Sequence, residues 1–266
     1  MPSVRWSEIF HHAVLGRYDT PGRAEAVVVA GNLAYVADGS VGLQVIDVSN
    51  PMAPVRVGGY DTGGDALDVA VAGGIAYVAD GGGLEIIDVS IPAAPVRLGG
   101  YDAENSAQGI AVAGNIAYLT DNISGLQIID VSNPASPVWL GEYHSPDYLY
   151  LPFKVTVADG IAYLAAGVIC GGIEAGLDCG GLQIIDVSNP ALPTLLGKYD
   201  DSDTNDLGVC NDVAIAGSTV YLSCGVLSVI DVSNPNKPIE IENSGGRLWR
   251  DGCRRYRLCC ARFIRC

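Results

Sequence analysis

The stretch GLQVIDVSNPMAPVRVGGYDT, residues 42–62, recurs five times along the chain with few changes. Its Asp-Val-Ser triplets begin at Asp47, Asp88, Asp130, Asp186 and Asp231, at spacings of 41, 42, 56 and 45 residues. A fixed period of ~40 residues with several short apolar runs in each marks a repeat architecture. The second repeat displays the parts: Asp68–Ala72 (DVAVA), Ile75–Ala79 (IAYVA), Leu84–Val89 (LEIIDV) and Val96–Tyr101 (VRLGGY). These are four β runs rich in Val, Ile and Tyr, separated by Gly and Pro punctuation. No window keeps helical period over the length a helix needs.

The prolines order the strands. Each repeat carries Pro-x-x-Pro, from Pro51 and Pro54 to Pro235 and Pro238, just before its fourth run. A proline at a strand start forfeits a ladder hydrogen bond, which a sheet edge tolerates, so the fourth strand is the outer one. The first runs (Ala26–Ala30, Gly109–Ala113) are narrow and alanine-rich, suited to a crowded centre. The third runs carry Ile on both faces (Ile86 and Ile87, Ile128 and Ile129, Ile184 and Ile185), as a sheet covered on both sides requires. Four-stranded antiparallel sheets stacked radially form a β-propeller. A β-solenoid uses shorter coils and would not place a Pro-marked edge strand once per repeat. The expected fold is all-β: five full blades (24–61, 66–102, 107–144, 153–200 and 211–243) plus one strand of a sixth, Ala13–Asp19.

The quoted stretch also resembles the LVIVD repeat, over Leu15 to about Glu242. That family occurs in bacterial and archaeal proteins that are mostly exported or surface-attached, and it is taken to form β-propellers. The resemblance therefore implies a propeller and an extracellular or cell-surface location. It implies no catalytic residues.

The ends differ from the body, which spans residues 13–246. Residues 247–266 hold seven Arg and four Cys without alternation or Gly-Pro punctuation. Suitable codons for Cys253–Cys266, shifted by one base, read AVAIAYVARGLSGV, which reproduces strands one and two of the repeat. The expectation is a frameshift just after residue 246; a true basic, Cys-rich tail is the alternative. MPSVRWSEIFHH lacks the charged start and apolar core of a signal peptide, so an export signal would lie upstream of Met1. No 18-residue apolar stretch occurs, hence no transmembrane helix.

The whole chain carries a net charge of −15; without the tail's seven Arg and one Asp, 8 basic residues face 29 acidic ones, or −21. Such a body repels nucleic acid, whose phosphates need clustered Lys and Arg. It suits divalent cations and basic partners. Of the four body cysteines, Cys210 and Cys224 flank the turn at Gly217 symmetrically, which in a hairpin places them opposite each other. Cys170 and Cys179 bracket the insertion GVICGGIEAGLDCGG of the fourth repeat. Two disulfides fit an oxidising compartment; four buried thiols fit a reducing one. Zinc-type spacing is absent from the body.

Recurring residues read as fold elements, because a site needs asymmetry. The Asp of each Asp-Val-Ser is a turn acceptor, and so are Asp38, Asp80 and Asp121 before Gly-rich turns. The strand-two tyrosines Tyr35, Tyr77, Tyr118, Tyr163 and Tyr221 read as packing residues. Differences between repeats are the candidates for function. Asp201, Asp203, Asn205 and Asp212 fall at positions 1, 3, 5 and 12 of a calcium-type loop, although Asp206 stands where its turn wants Gly. A solvated acidic loop is the plainer alternative. Glu25, Asp68, Gln108, Lys154 and Asn211 open the first strands, at the rim of the central channel, and vary as residues of a ligand-accepting mouth or of plain surface would. Tyr148, Tyr150 and Phe153 offer a contact surface or packing under the insertion, and Asn122-Ile-Ser124 matches a glycosylation sequon. His11, His12 and His144 have no partner set that makes a triad.

The function this implies is a non-catalytic, secreted or cell-surface binding or structural module. Its ligand would be a protein or glycan, with no required cofactor beyond an optional Ca²⁺. The alternative is a propeller enzyme, a metal-assisted hydrolase or lyase acting on polysaccharide at the channel mouth.

Overall fold

Nineteen strands and no helix make up the computed structural model, which describes residues 14–121, 125–145, 150–168, 180–199, 210–224 and 227–241. The first blade is β1 (Ala26–Ala30), β2 (Leu33–Ala37), β3 (Leu43–Asp47) and β4 (Val55–Tyr60), paired antiparallel in that order. The second and third blades comprise β5 (Asp68–Ala72), β6 (Ile75–Ala79), β7 (Gly81–Asp88), β8 (Val96–Ala113), β9 (Ile116–Asp121), β10 (Gly125–Asp130) and β11 (Val138–Tyr143). The fourth is β12 (Tyr150–Ala158), β13 (Ile161–Val168), β14 (Gly180–Asp186) and β15 (Thr194–Tyr199). The fifth is β16 (Asp212–Ala216), β17 (Thr219–Ser223), β18 (Leu227–Asp231) and β19 (Ile239–Glu240).

Blades two and three differ from expectation in one respect. They share a single seven-stranded sheet, because β8 is at once the outer strand of one blade and the inner strand of the next. The expected turn at Asp80–Gly83 forms, with the Asp80 N–H donating to the Gly83 carbonyl at 3.1 Å and Gly81 at a φ of 77°, but Gly81 also pairs with Ala107, so the crossover stays in the ladder. Ala26–Ala30, Asp68–Ala72 and Ile75–Ala79 are strands over the expected runs, while β12 begins at Tyr150, ahead of the expected start at residue 153.

The blades pack face on face. Tyr35, Ala37, Leu43 and Val45 of the first blade meet Val69, Val78, Ile87 and Val89 of the second. The same positions recur between blades two and three, three and four, and four and five. Ile86, Ile87, Ile128, Ile129, Ile184 and Ile185 are fully buried, as strands covered on both faces require. Inner strands lie beside inner strands: β1 by β5, β5 by β8, β8 by β12 and β12 by β16.

A second device locks blade to blade at the outer edge. Each of the first four outer strands carries a bulge at the same step, leaving Val57, Leu98, Leu140 and Leu196 as the extra residues. The glycine after each bulge (Gly58, Gly99, Gly141, Gly197) lies against the carbonyl oxygen of the next blade's turn proline: Pro92, Pro134, Pro190 and Pro235. A Cβ at any of them would overlap that carbonyl. Gly16 lies against the Pro51 carbonyl in the same way, so residues 14–19 occupy the place of an outer strand preceding the first blade. Ala13 and residues 242–266, the tail included, lie outside the described residues.

The turns between strands three and four are built as their sequence indicates. Asp47, Asp88, Asp130, Asp186 and Asp231 each accept the backbone N–H of the Ser two residues on, at 2.8–2.9 Å. Hydrogen bonds from the Ser side chain and from its N–H favour the ionised form and hold all five carboxyls below the ordinary range.

Candidate functional site at the start of the inner strands

The ladder register sorts the five mouth residues. Asp68 pairs with Ala79 and Lys154 with Ala165, so these two occupy the same place in their blades. Ala26 and Asp212 hold that place in blades one and five, opposite Ala37 and Ser223. Glu25 and Asn211 stand one residue earlier, and Gln108 is the residue passed over where the ladder steps from Ala107 to Gly109. Glu25 meets Arg23 at 3.1 Å, and Gln108 donates to Ser106 Oγ at 2.7 Å. Asn211 is exposed, and its N–H donates to the Ser223 carbonyl.

Asp68 and Lys154, 86 residues apart in the chain, meet. Lys154 Nζ lies 2.7 Å from Asp68 Oδ1 and also donates to the Leu67 carbonyl at 3.4 Å. Asp68 Oδ2 accepts the Ile110 N–H at 3.0 Å, and Oδ1 accepts that of Val69 at 3.0 Å. One carboxylate thus ties blades two, three and four together. Burial pushes its carboxyl above the ordinary range, against the pull of Lys154 and the two N–H groups.

Two residues that sequence reasoning passed over complete this corner. Thr120 Oγ1 sits between the Gly109 carbonyl (3.3 Å) and the Phe153 carbonyl (3.2 Å), linking blade three to blade four. Gly109 lets the strands close up, since a Cβ there would overlap the Phe153 carbonyl. The signal lay in the repeat itself: Thr120 stands where the other strand-two ends read Ala37, Ala79, Ala165 and Ser223. Asp38 and Asp80 follow the same strand ends; Asp80 is the acceptor of its own turn as expected, whereas Asp38 holds the segment that enters the first blade and not the turn after it. Asp38 accepts Thr20 Oγ1 (2.6 Å) and Gly22 N–H (2.9 Å); Asp80 accepts the N–H groups of Gly82 and Gly83.

Cys210 and Cys224 are joined by a disulfide and fully buried. They are not ladder partners, because the turn is two residues, Gly217 and Ser218, and the register Asp212–Ser223 would set Cys210 opposite residue 225. The bridge forms just beyond the last rung. Cys170 and Cys179 lie outside the described residues, as do Asp201, Asp203, Asn205, Tyr148 and the sequon. Asp212 opens β16 and accepts the Val213 N–H at 2.9 Å. Phe153 is half-buried in β12. His144 pairs with Glu142 at 2.8 Å. Among the described residues no three His, Cys, Asp or Glu are placed to hold a metal, and no helix is long and apolar enough to cross a membrane.

The family model for the LVIVD repeat matches residues 21–62, 63–103, 105–145, 178–201 and 208–244. The chain belongs to the LVIVD-repeat family. In the fourth match only the outer half of the blade is covered, although this LVIVD protein builds that blade in full. No curated protein matches it in sequence. Solved structures share its fold. A functionally unknown protein from Desulfotomaculum acetoxidans is 14% identical with a TM-score of 0.65, over 85% of this chain and 71% of its own. A protein from Lactobacillus plantarum is 12% identical with a TM-score of 0.67, over 82% and 70%. The periplasmic gluconolactonase of Pseudomonas aeruginosa is 11% identical with a TM-score of 0.61, over 80% and 67%. At these identities the likeness is one of fold. The LVIVD chain is an all-β propeller of four-stranded blades.

Proposed function

We propose that this LVIVD propeller is a secreted or cell-surface binding module without catalysis, which presents varied residues on a rigid frame to a protein or glycan. The observation that carries the reading is the Asp68–Lys154 tie. The buried acid and half-buried base at the start of the inner strands satisfy one another and the neighbouring backbone. They serve the frame, whereas a general acid or base must reach a substrate proton. Around them, Gln108 and Asn211 supply different polar groups on one repeated backbone, which is how scaffolded binding surfaces vary. The Cys210–Cys224 disulfide supports an oxidising, extracytoplasmic setting.

The test is to screen the purified chain against glycan and peptide arrays, and then to repeat the strongest hit with Gln108→Ala and Asn211→Ala. The reading expects at least tenfold weaker binding for one of them, with thermal unfolding unchanged. Steady turnover of a lactone or polysaccharide, abolished by Asp68→Asn, would replace the module with an enzyme.

A further inference from the structure

Four times in this chain the front face of one blade closes on the back face of the next. At those four interfaces the strand-two tyrosines Tyr35, Tyr77, Tyr118 and Tyr163 are 4–5% exposed, and Leu43, Leu84, Leu126 and Leu182 at most 1%. Tyr221 and Leu227 hold the same positions on the fifth blade, at 40% and 68% exposed. The opposite end of the array mirrors this. Val69, Ile110, Val155 and Val213 on the back faces are 4–7% exposed, whereas Val27 of the first blade is 63% and Val29 60% exposed. Two faces that elsewhere meet a partner blade are uncovered by the described residues.

The outer edge of the same gap is filled. Tyr18 packs on the first blade's cluster of Ala34, Val36 and Ile46, and Gly16 abuts the Pro51 carbonyl as Gly58 abuts Pro92. Among the described residues, the faces of the fifth and first blades have no inner strands against them, while the place of the outer strand is filled.

We propose that this gap is a docking site for a three-stranded β segment of LVIVD type. The existing interfaces, which the two faces continue, specify its chemistry. One side carries Val-x-Val, Ala-x-Val and Ile-x-Val to cover Tyr221 and Leu227. The other presents a strand-two Tyr and a strand-three Leu to Val27 and Val29. Its third strand pairs with the backbone of residues 15–19. A second copy of the chain does not fit this description. Its free faces belong to end blades, so joining blade five of one copy to blade one of another supplies no third strand to pair with residues 15–19 and propagates as an open filament.

The probe is a tagged polypeptide of residues 66–89, strands one to three of the second repeat, co-expressed with the full chain. The expected result is a one-to-one complex by native mass spectrometry, with slowed amide exchange at residues 15–19, 27–29 and 219–231. Val27→Asp and Leu227→Asp, both at exposed positions and compatible with folding, should each lower its yield at least tenfold. Absence of the complex, a yield indifferent to both substitutions, or assembly of the chain into filaments instead would overturn the proposal.

Discussion

Replacing Lys154 with Met removes the base of the Asp68 tie while keeping the length of the side chain. The Asp68 carboxylate is then left among blades two, three and four with only the N–H groups of Ile110 and Val69. Breaking a buried ion pair by removing one partner costs about 3–5 kcal/mol. Because two N–H bonds remain and the side chains are 13% and 20% exposed, about 2–3 kcal/mol is the expected loss at pH 7. For a domain of this size each kcal/mol moves the melting temperature by about 2–4 °C, so a fall of roughly 8 °C follows. The sign of the pH dependence is fixed. Asp68 titrates above its ordinary value in the folded chain, so its ionisation costs stability as pH rises through that window. Below the ordinary carboxylate value the cost vanishes. The deficit of Lys154→Met relative to wild type should therefore shrink on acidification from pH 7 to pH 4, and Asp68→Asn with Lys154→Met should recover most of it. The assay is denaturant unfolding of wild type and both variants across that range. A deficit under about 0.5 kcal/mol at pH 7, or one that grows towards acid, refutes the role given to the tie.

Gly99→Ala should cost about 3 kcal/mol, because its methyl group overlaps the Pro134 carbonyl and must push the two blades apart. Gly114→Ala, at a φ of 60° with open space around it, should cost only about 1 kcal/mol by the same denaturant measurement. Reducing the Cys210–Cys224 bridge, which spans 14 residues, should lower stability by about 3 kcal/mol, read as a shift of the melting temperature with and without reductant. The five Asp-Ser turns act with opposite sign to Asp68. Their carboxyls are held low, so their contribution is present above the ordinary carboxylate value and is lost as pH falls through the lowered one. Asp88→Asn keeps an acceptor for Ser90 N–H and should make unfolding below pH 4 less steep in pH, checked by melting curves from pH 5 to pH 2.

Strands were legible in this sequence almost to the residue, because each repeat restates the same alternation and the same Gly-Pro punctuation. Ile75–Ala79 and Ile161–Val168 begin where the apolar run begins. Register was not legible. Whether Glu25 or Ala26 matches Asp68 depends on which rung the ladder starts from, and a one-residue slip changes the face of every side chain. The same blindness set Cys210 opposite Cys224 across a one-residue turn that in fact holds Gly217 and Ser218. The turn at Asp80–Gly83 was legible from its glycines, whereas the pairing of Gly81 with Ala107 that joins blades two and three in one sheet was not. The Asp68–Lys154 contact was out of reach, since both residues read as solitary variations in different repeats. Thr120 was readable, as a hydroxyl at a position held by alanine in three of the other four repeats and by Ser223 in the fifth. It is easily passed over because change between repeats at a strand end resembles surface drift.

Tyrosine nitration read by mass spectrometry tests the arrangement of blades most directly, because five tyrosines occupy one position in five repeats. With the blades stacked face on face, Tyr221 is modified in the native chain while Tyr35, Tyr77, Tyr118 and Tyr163 react only after unfolding. Equal reaction of all five would contradict the stacking of the faces, and equal protection of all five would contradict the exposed front face of the fifth blade.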